Sequence, residues 1–567
     1  MTVEQIPPGL VLIVGAALLP FLGGWWRSAL VLLAPLAALW LVWQIPDGAT
    51  LTTDFMGLDM IVVKGDKLSR LFGTIFCIMA FAGGLFALRQ ARTIELSAAL
   101  FYAGSAIGVV FAGDLITVFV FWELMALGST VVIWSADTEA ARRAGMRYVM
   151  IHLLGGVLLM AGILDFVIAQ KSIAFGAGPI HEMLTVNRPG TWLILAGFLI
   201  NAGAPPFSAW LPDAYPESSP TGMVFLSAFT TKTAVYVLWR GFQGFDVLIW
   251  IGLFMVFYGI IYALLENDIR RILAYSIVNQ VGFMVCGIGI GTYMALNGAA
   301  AHAFTHIIYK ALLLMSAGSV LYMTGKRKCT DLGGLFQSMP LTCICGIVGA
   351  LSISSFPLTS GFVSKSMISQ GAADQHLAVV WFLLAAASAG VFLHAGIKFP
   401  WFVFFQKDSG LRPPDPPWNM RLAMVLFAAL CIGIGVWPEA LYALLPLDVK
   451  FKPYTGYHVV EMLQLLLFSG LAFFVLLPFM KRTLTISLDV DWFWRRLGAR
   501  LAHAFTVRTN RARGLTAERL QDRMAKALEA VFHLHGPKGI LARTWDTGTT
   551  TLVIVGLLAA YLVVYFL

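Results

Sequence analysis

Residues 300–321 read AAHAFTHIIYKALLLMSAGSVL, and within them His302, His306 and Lys310 fall at i, i+4 and i+8. At that spacing successive side chains of a helix project from nearly one face. The surrounding apolar run is long enough to cross a bilayer, where ionisable side chains are costly and mark paths for ions or protons. One histidine in a soluble core could be a packing residue with satisfied hydrogen bonds. Two histidines and a lysine in register within an apolar helix require a membrane reading and a polar interior.

The rest of the chain agrees. Its 567 residues are 59% hydrophobic and only 12% charged, with a mean hydropathy of +0.80. That composition excludes a soluble globular protein and predicts an all-α, polytopic membrane protein. Hydropathy gives about 16 transmembrane helices, including crossings at 114–134, 147–169, 191–213, 220–240, 296–323, 340–372, 378–406 and 459–480. The apolar N-terminus carries Glu4 and no basic flank, so it reads as a first span. Five segments follow: N-terminal helices at 1–95, a core at 96–410, further helices at 411–480, a basic amphipathic segment at 481–549 and a terminal helix at 550–567.

The basic groups Arg89/Arg92, Arg142/Arg143/Arg147, Arg270/Arg271, Lys326–Lys328 and Lys481/Arg482 all fall on one side of this topology. The positive-inside rule makes that side cytoplasmic. Of the net charge of +9, most comes from Lys481–Arg543, which holds 13 Lys/Arg against 5 Asp/Glu. Within it, residues 515–535 place Leu520, Met524, Leu528 and Val531 on one helical face, predicting an amphipathic surface helix behind the interfacial Trp492–Arg496. Such a segment reads as membrane-facing, not as a nucleic-acid domain.

Two crossings contain helix breakers: Gly203-Ala204-Pro205-Pro206, and the run from Ser354 to Gly361 around Pro357. Two broken helices about 150 residues apart fit transporters that surround an ion path with half-helices. Ionisable residues within the crossings are Glu123, Lys232, His302, His306, Lys310 and Lys365, an alternation of acids and bases suited to proton relay. Glu123 and Lys232 are expected to form an ion pair. His394 and Lys398 are secondary candidates, while His152 and Asp165 read as structural or interfacial. The six cysteines show no paired metal-ligand spacing. No nucleotide-binding, nucleophile-elbow or metal-ligand motif is present, so no catalytic residues, metal or cofactor are expected.

The passages FVFWELMALGS, PPFSAWLPDAYPESSPTG with FTTKTAVY, ENDIRRILAYSIVNQVGFM, AHAFTHIIYKALLLMSAGS and SSFPLTSGFVSKSMI occur in that order. In this the chain resembles the antiporter-like membrane subunits shared by respiratory complex I and Mrp-type sodium/proton antiporters, and most resembles the D-type subunit of Mrp antiporters. The resemblance implies two inverted five-helix repeats, each with one discontinuous helix. It implies a hydrophilic proton axis, sodium or potassium as co-ion, and partner subunits in a hetero-oligomeric complex of the inner (plasma) membrane. It assigns the pathway to Glu123, Lys232, His306, Lys310 and Lys365. One departure stands out: many relatives carry a lysine where this chain has Asn201, and asparagine cannot titrate. A redox-driven complex I-like pump and a non-conducting scaffold are the alternatives.

Overall fold

The computed structural model describes residues 6–55, 57–448, 450–478, 489–539 and 542–567. Glu4 and the Lys481/Arg482 pair lie outside the described residues. The chain divides into two compact units, Met1–Asp489 and Val490–Leu567.

In the first unit the helices are α1 (Pro8–Leu18), α2 (Gly24–Gln44), α3 (Lys67–Ala87), α4 (Thr93–Phe111), α5 (Leu115–Trp134), α6 (Glu139–Gln170), α7 (Ile180–Met183), α8 (Pro189–Ala202), α9 (Trp210–Ala214), α10 (Gly222–Leu226) and α11 (Thr230–Gly241). They continue with α12 (Val247–Leu265), α13 (Ile269–Ile290), α14 (Tyr293–Thr324), α15 (Pro340–Ile353), α16 (Ser360–Asp374), α17 (Ala378–Val391), α18 (Trp418–Val436), α19 (Glu439–Tyr442) and α20 (Gly456–Leu476). The second unit holds α21 (Ala499–His535) and α22 (Thr547–Phe566). Among the described residues 13 helices are long and apolar enough to cross a membrane, and three shorter apolar ones start at Pro8, Pro189 and Pro340. Each expected crossing thus has its helix. The amphipathic helix expected at 515–535 is part of a longer one, α21.

Helix burial follows position in the bundle. α13 is buried along its whole apolar window and α14 along most of it, whereas α20 is largely exposed. Close packing of α6 on α8 runs through small residues, with Gly155 against Ile200 and Gly197 against Leu159.

The two expected breaks are present. α8 ends at Gly203 in the left-handed region (φ 78°), a conformation glycine adopts without steric cost, and Trp210 Nε1 donates to Ile200 O across the gap (2.9 Å). α15 and α16 are separated by residues 354–359, with Ser355 and Leu358 at positive φ. Two further crossings carry local irregularities. The 220–240 crossing is interrupted at Ser227–Phe229, between α10 and α11, and the 378–406 crossing runs into π turns at Phe392–Lys398 and Trp401–Phe405.

The connection before α3 is a hairpin that the sequence did not announce. Strands β1 (Thr50–Phe55) and β2 (Leu58–Lys64) form an antiparallel hairpin with a bulge at Leu51/Thr52. It is clamped to the head of α5: Ile61 N donates to Asp114 Oδ2 (2.7 Å) and Gly113 N to Ile61 O (2.9 Å). Asp114 also caps α5 by accepting from Thr117 N (2.7 Å). This hairpin is the one sheet among the described residues of an otherwise helical chain.

At the opposite end the basic groups meet acidic partners. Arg92 and Arg142 pair with Asp137, Arg147 with Asp213, and Arg327 with both Glu217 and Asp268. Arg270, one of the basic groups expected on the cytoplasmic side, is buried. It donates to the carbonyls of Pro216, Ser218 and Ser219 (2.7–2.8 Å) and so fastens the loop that follows the first break.

Candidate functional site

Three of the membrane lysines end on backbone carbonyls that helix interruption leaves without a helical donor. Lys232 Nζ donates to Ser227 O (2.7 Å), freed at the α10–α11 interruption, and to Thr231 Oγ1 (3.0 Å). Lys365 Nζ donates to Ile353 O (3.0 Å), the last carbonyl of α15, and lies 4.8 Å from the Phe283 ring centroid. Lys398 Nζ donates to Ala263 O, Leu264 O and Glu266 O (2.6–3.1 Å) at the end of α12. Helix C-terminal carbonyls carry partial negative charge, so each lysine occupies a place that favours its cationic form. Lys398 is therefore a helix cap beside the basic face, where its three hydrogen bonds leave no donor free.

The stripe on α14 behaves differently along its length. His302 Nε2 donates to Gln280 Oε1 (3.0 Å), its Nδ1 meets Ser364 Oγ (3.0 Å), and Tyr309 OH also donates to Gln280 Oε1 (3.1 Å). His306 and Lys310 are fully buried, yet neither His306 nitrogen nor Lys310 Nζ has a hydrogen-bond partner among the described residues. Lys232 is near enough to act electrostatically on His302, His306 and Lys310, as is Lys365 on His302, His306 and His394. The stripe thus joins the two broken-helix regions. A polar group buried without a protein partner is served by water or by a mobile neighbour, and both suit a relay.

Glu123 and Lys232 are not joined. Glu123 Oε1 is buried without a partner among the described residues and lies against Gly156 of α6, where an added Cβ would stand 2.0 Å from it. One turn earlier on the same face is His152, with Nδ1 2.8 Å from Asn201 Oδ1. The ring is packed between Tyr148 (centroids 4.1 Å) and Trp210 (4.7 Å). Tyr148 OH donates to Ser129 Oγ (2.9 Å), Tyr102 OH pairs with Thr230 Oγ1 (2.5 Å), and the phenols of Tyr148 and Tyr215 face the same threonine. Thr230 opens the helix that carries Lys232. Hydroxyl groups therefore fill the interval where the ion pair was expected.

Beyond Lys365, a cavity of about 300 Å³ is lined by Lys365, Ser366, Gln370, His458 and Glu461. His458 and Glu461 are on α20, whose first turn lies at the end of the bundle away from the basic groups. His394 bonds Gly390 O through Nδ1 (2.9 Å), and its Nε2 has no partner. Asp165 pairs with Arg188 (2.6 Å) and caps the start of α8 through Gly190 N (3.0 Å), as an interfacial residue would.

The sequence reading passed over a second buried carboxylate, Glu95, which accepts from Ser135 (3.3 Å), Ser219 (2.8 Å) and Thr221. It left unread the link from His152 to Asn201. The available signal was the spacing Tyr148, His152, Gly156, which repeats the i, i+4, i+8 stripe of α14.

Fold and site define a polytopic membrane protein with an internal axis of titratable side chains between broken helices. Residues 112–392 match the family model described as NADH:quinone oxidoreductase/Mrp antiporter, TM. The chain belongs to this family of antiporter-like membrane subunits. It is 29% identical over 414 residues to a probable A/B-type subunit of a K(+)/H(+) antiporter of Rhizobium meliloti, covering 68% of this chain and 41% of that relative. It is 27% identical over 422 residues to the D-type subunit of the Na(+)/H(+) antiporter of Alkalihalophilus pseudofirmus, covering 70% of this chain and 83% of that protein. Among solved structures, a chain of the Mrp complex from Dietzia sp. DQ12-45-1b superposes with a TM-score of 0.69 at 19% identity, over 83% of this chain and 99% of that one. A chain of the archaeal membrane-bound sulfane sulfur reductase superposes with a TM-score of 0.73 at 23% identity, over 98% of this chain and 100% of that one.

Proposed function

We propose that the chain is the proton-translocating subunit of a multisubunit monovalent cation/proton antiporter, of the Mrp D type, with sodium or potassium as co-ion. The observation that carries this reading is the series of titratable groups on separate helices: half-buried Glu123, then buried Lys232, His306 with Lys310, and Lys365. Protons meet Glu123, pass to the Lys232 region and cross the α14 stripe. They leave past Lys365 through the cavity lined by His458 and Glu461. Asn201 acts in this path as a hydrogen-bond partner, and His394 flanks its far end. The chain performs no covalent chemistry; an ion gradient drives it. It works with partner subunits in the plasma membrane, its basic groups on the cytoplasmic side.

The test is cation-dependent proton flux in vesicles carrying the assembled complex. A sodium or potassium pulse should move protons, and Glu123→Ala and Lys232→Ala should each abolish that movement. Unchanged flux in both variants sinks the mechanism. A second reading, a proton-pumping subunit of a redox-driven complex, is favoured by the near full-length superposition on the sulfane sulfur reductase chain. Flux that appears only with an electron donor would select it. Normal transport after joint replacement of His306 and Lys310 would select a scaffold role.

A further inference from the structure

His152 is 1% exposed, and its Nδ1–H donates to Asn201 Oδ1. In the neutral ring that bond fixes the tautomer, leaving Nε2 as a bare acceptor. Nε2 has no partner among the described residues, and neither has Glu123 Oε1. The Gly156 contact places that carboxyl one helical turn along α6 from the imidazole, about 6 Å along the axis, a distance one water spans. Asn201 is the penultimate residue of α8. The imidazole therefore sits at the carbonyl-rich end of a half-helix, where the dipole favours a cation. His302 is placed the other way: its partner Ser364 is in the opening turns of α16, the end that disfavours a cation. The other ionisable groups around His152 are Tyr148 on its own helix, Tyr215 beyond α9, and Arg147 with Asp213, which pair with each other (2.7 Å).

We propose that His152 is the proton-carrying partner of Glu123, so that an imidazole on α6 takes the cationic role at the mouth of the pathway. This rests on the proton-translocating reading above. In the step, the Glu123 O–H bond breaks and an Nε2–H bond forms through the intervening water, giving carboxylate and imidazolium. Nδ1–H stays on Asn201 throughout. Loss of the Nε2 proton toward the Tyr148–Thr230–Tyr102 hydroxyls, and on to Lys232, resets the ring.

The experiment measures proton flux in vesicles carrying the assembled complex for wild type, E123Q, H152Q, N201K and H152Q/N201K, normalised to assembled complex. Glutamine retains a hydrogen bond to Asn201 but cannot titrate. H152Q should lose flux by about tenfold or more, and adding N201K, which returns a cation to the same pocket, should recover most of it with a displaced pH profile. Wild-type flux in H152Q beside an inactive E123Q overturns the proposal, and so does an H152Q/N201K protein as inactive as H152Q. Undiminished flux in E123Q instead overturns the underlying reading. Infrared difference spectra of the complex with labelled histidine need no change at 152. A histidine band that titrates with the Glu123 carboxyl stretch and vanishes in E123Q supports the assignment, and its absence overturns it.

Discussion

The two halves of the membrane domain pose one problem and solve it with different chemistry. Each has a long helix bearing an i, i+4, i+8 stripe, α6 with Tyr148–His152–Gly156 and α14 with His302–His306–Lys310. Each stripe is tied to its neighbouring broken helix by a histidine, His152 to Asn201 at 2.8 Å and His302 to Ser364 at 3.0 Å. In the first half the bond falls before the break, and a carboxyl group from α5 closes the stripe at Gly156. In the second it falls after the break, and lysines take the place of the acid. The first half is a pocket of one acid, one imidazole and hydroxyls. The second is a row of amines held on helix-end carbonyls, with His306 and Lys310 unpartnered between them. Paired polar atoms fix geometry, while unpaired ones are free to exchange protons, so under the proposed function the unpaired groups are the ones to test in each half.

The largest effects should fall on those unpaired groups. Glu123→Gln and Lys310→Met should each lower cation-dependent proton flux by about 100-fold or more, because no second acid or amine is placed to substitute. Retained flux in either variant would show that the halves do not work in series. Lys365→Met should cost about tenfold in flux and about 1–3 kcal/mol of stability, because it strips Ile353 O of its donor. Thermal melting of the purified complex reads the second number. Lys398→Met should reverse that ratio, destabilising by a similar 1–3 kcal/mol through three orphaned carbonyls while leaving flux near wild type. A flux loss equal to that of Lys365→Met would move Lys398 into the path.

Gly156→Ala sharpens the comparison without removing any titratable group. The new methyl must displace the Glu123 carboxyl, at a cost of about 1–3 kcal/mol, and flux should fall while assembly persists. The smallest effect belongs to the rim. Burial alone would raise the Asp66 carboxyl, but the Arg240 guanidinium and the Ser69 hydrogen bonds outweigh it and hold it below the usual value of 3.8. Stability from a depressed carboxylate is present above the unfolded value and lost as pH falls through the folded one. Asp66→Asn, which keeps a capping side chain, should cost about 1 kcal/mol or less at neutral pH. That difference from wild type should vanish when melting is repeated well below pH 3.8.

Hydropathy made the crossings legible because a lipid-facing or bundle helix must be apolar over a fixed length, whatever surrounds it. The stripe on α14 was legible because helical spacing alone puts its members on one face. The break around Ser354–Gly361 showed through its proline. The interruption at Ser227–Phe229 had no such mark. It contains neither Gly nor Pro, and it follows from the packing of short α10 and α11 and from Lys232 taking up the freed carbonyl. The surroundings of His152 were hidden for another reason. Sequence says which residues share a helix face but not which helix that face meets, so neither Asn201 nor Glu123 could be assigned to it. The hairpin went unread because Thr50–Phe55 and Leu58–Lys64 form a short polar-edged pair between strongly apolar segments, and its anchor, Asp114, lies far along the chain.

That hairpin also acts as a depth gauge. Glu123 lies nine residues after Asp114 on α5, about 14 Å down the helix, and the bonds that Asp114 accepts from Ile61 and Thr117 lock the top of that helix in height. The segment between α2 and α3, far from Glu123 in sequence, is therefore part of the framework that fixes the helix on which that carboxyl is carried.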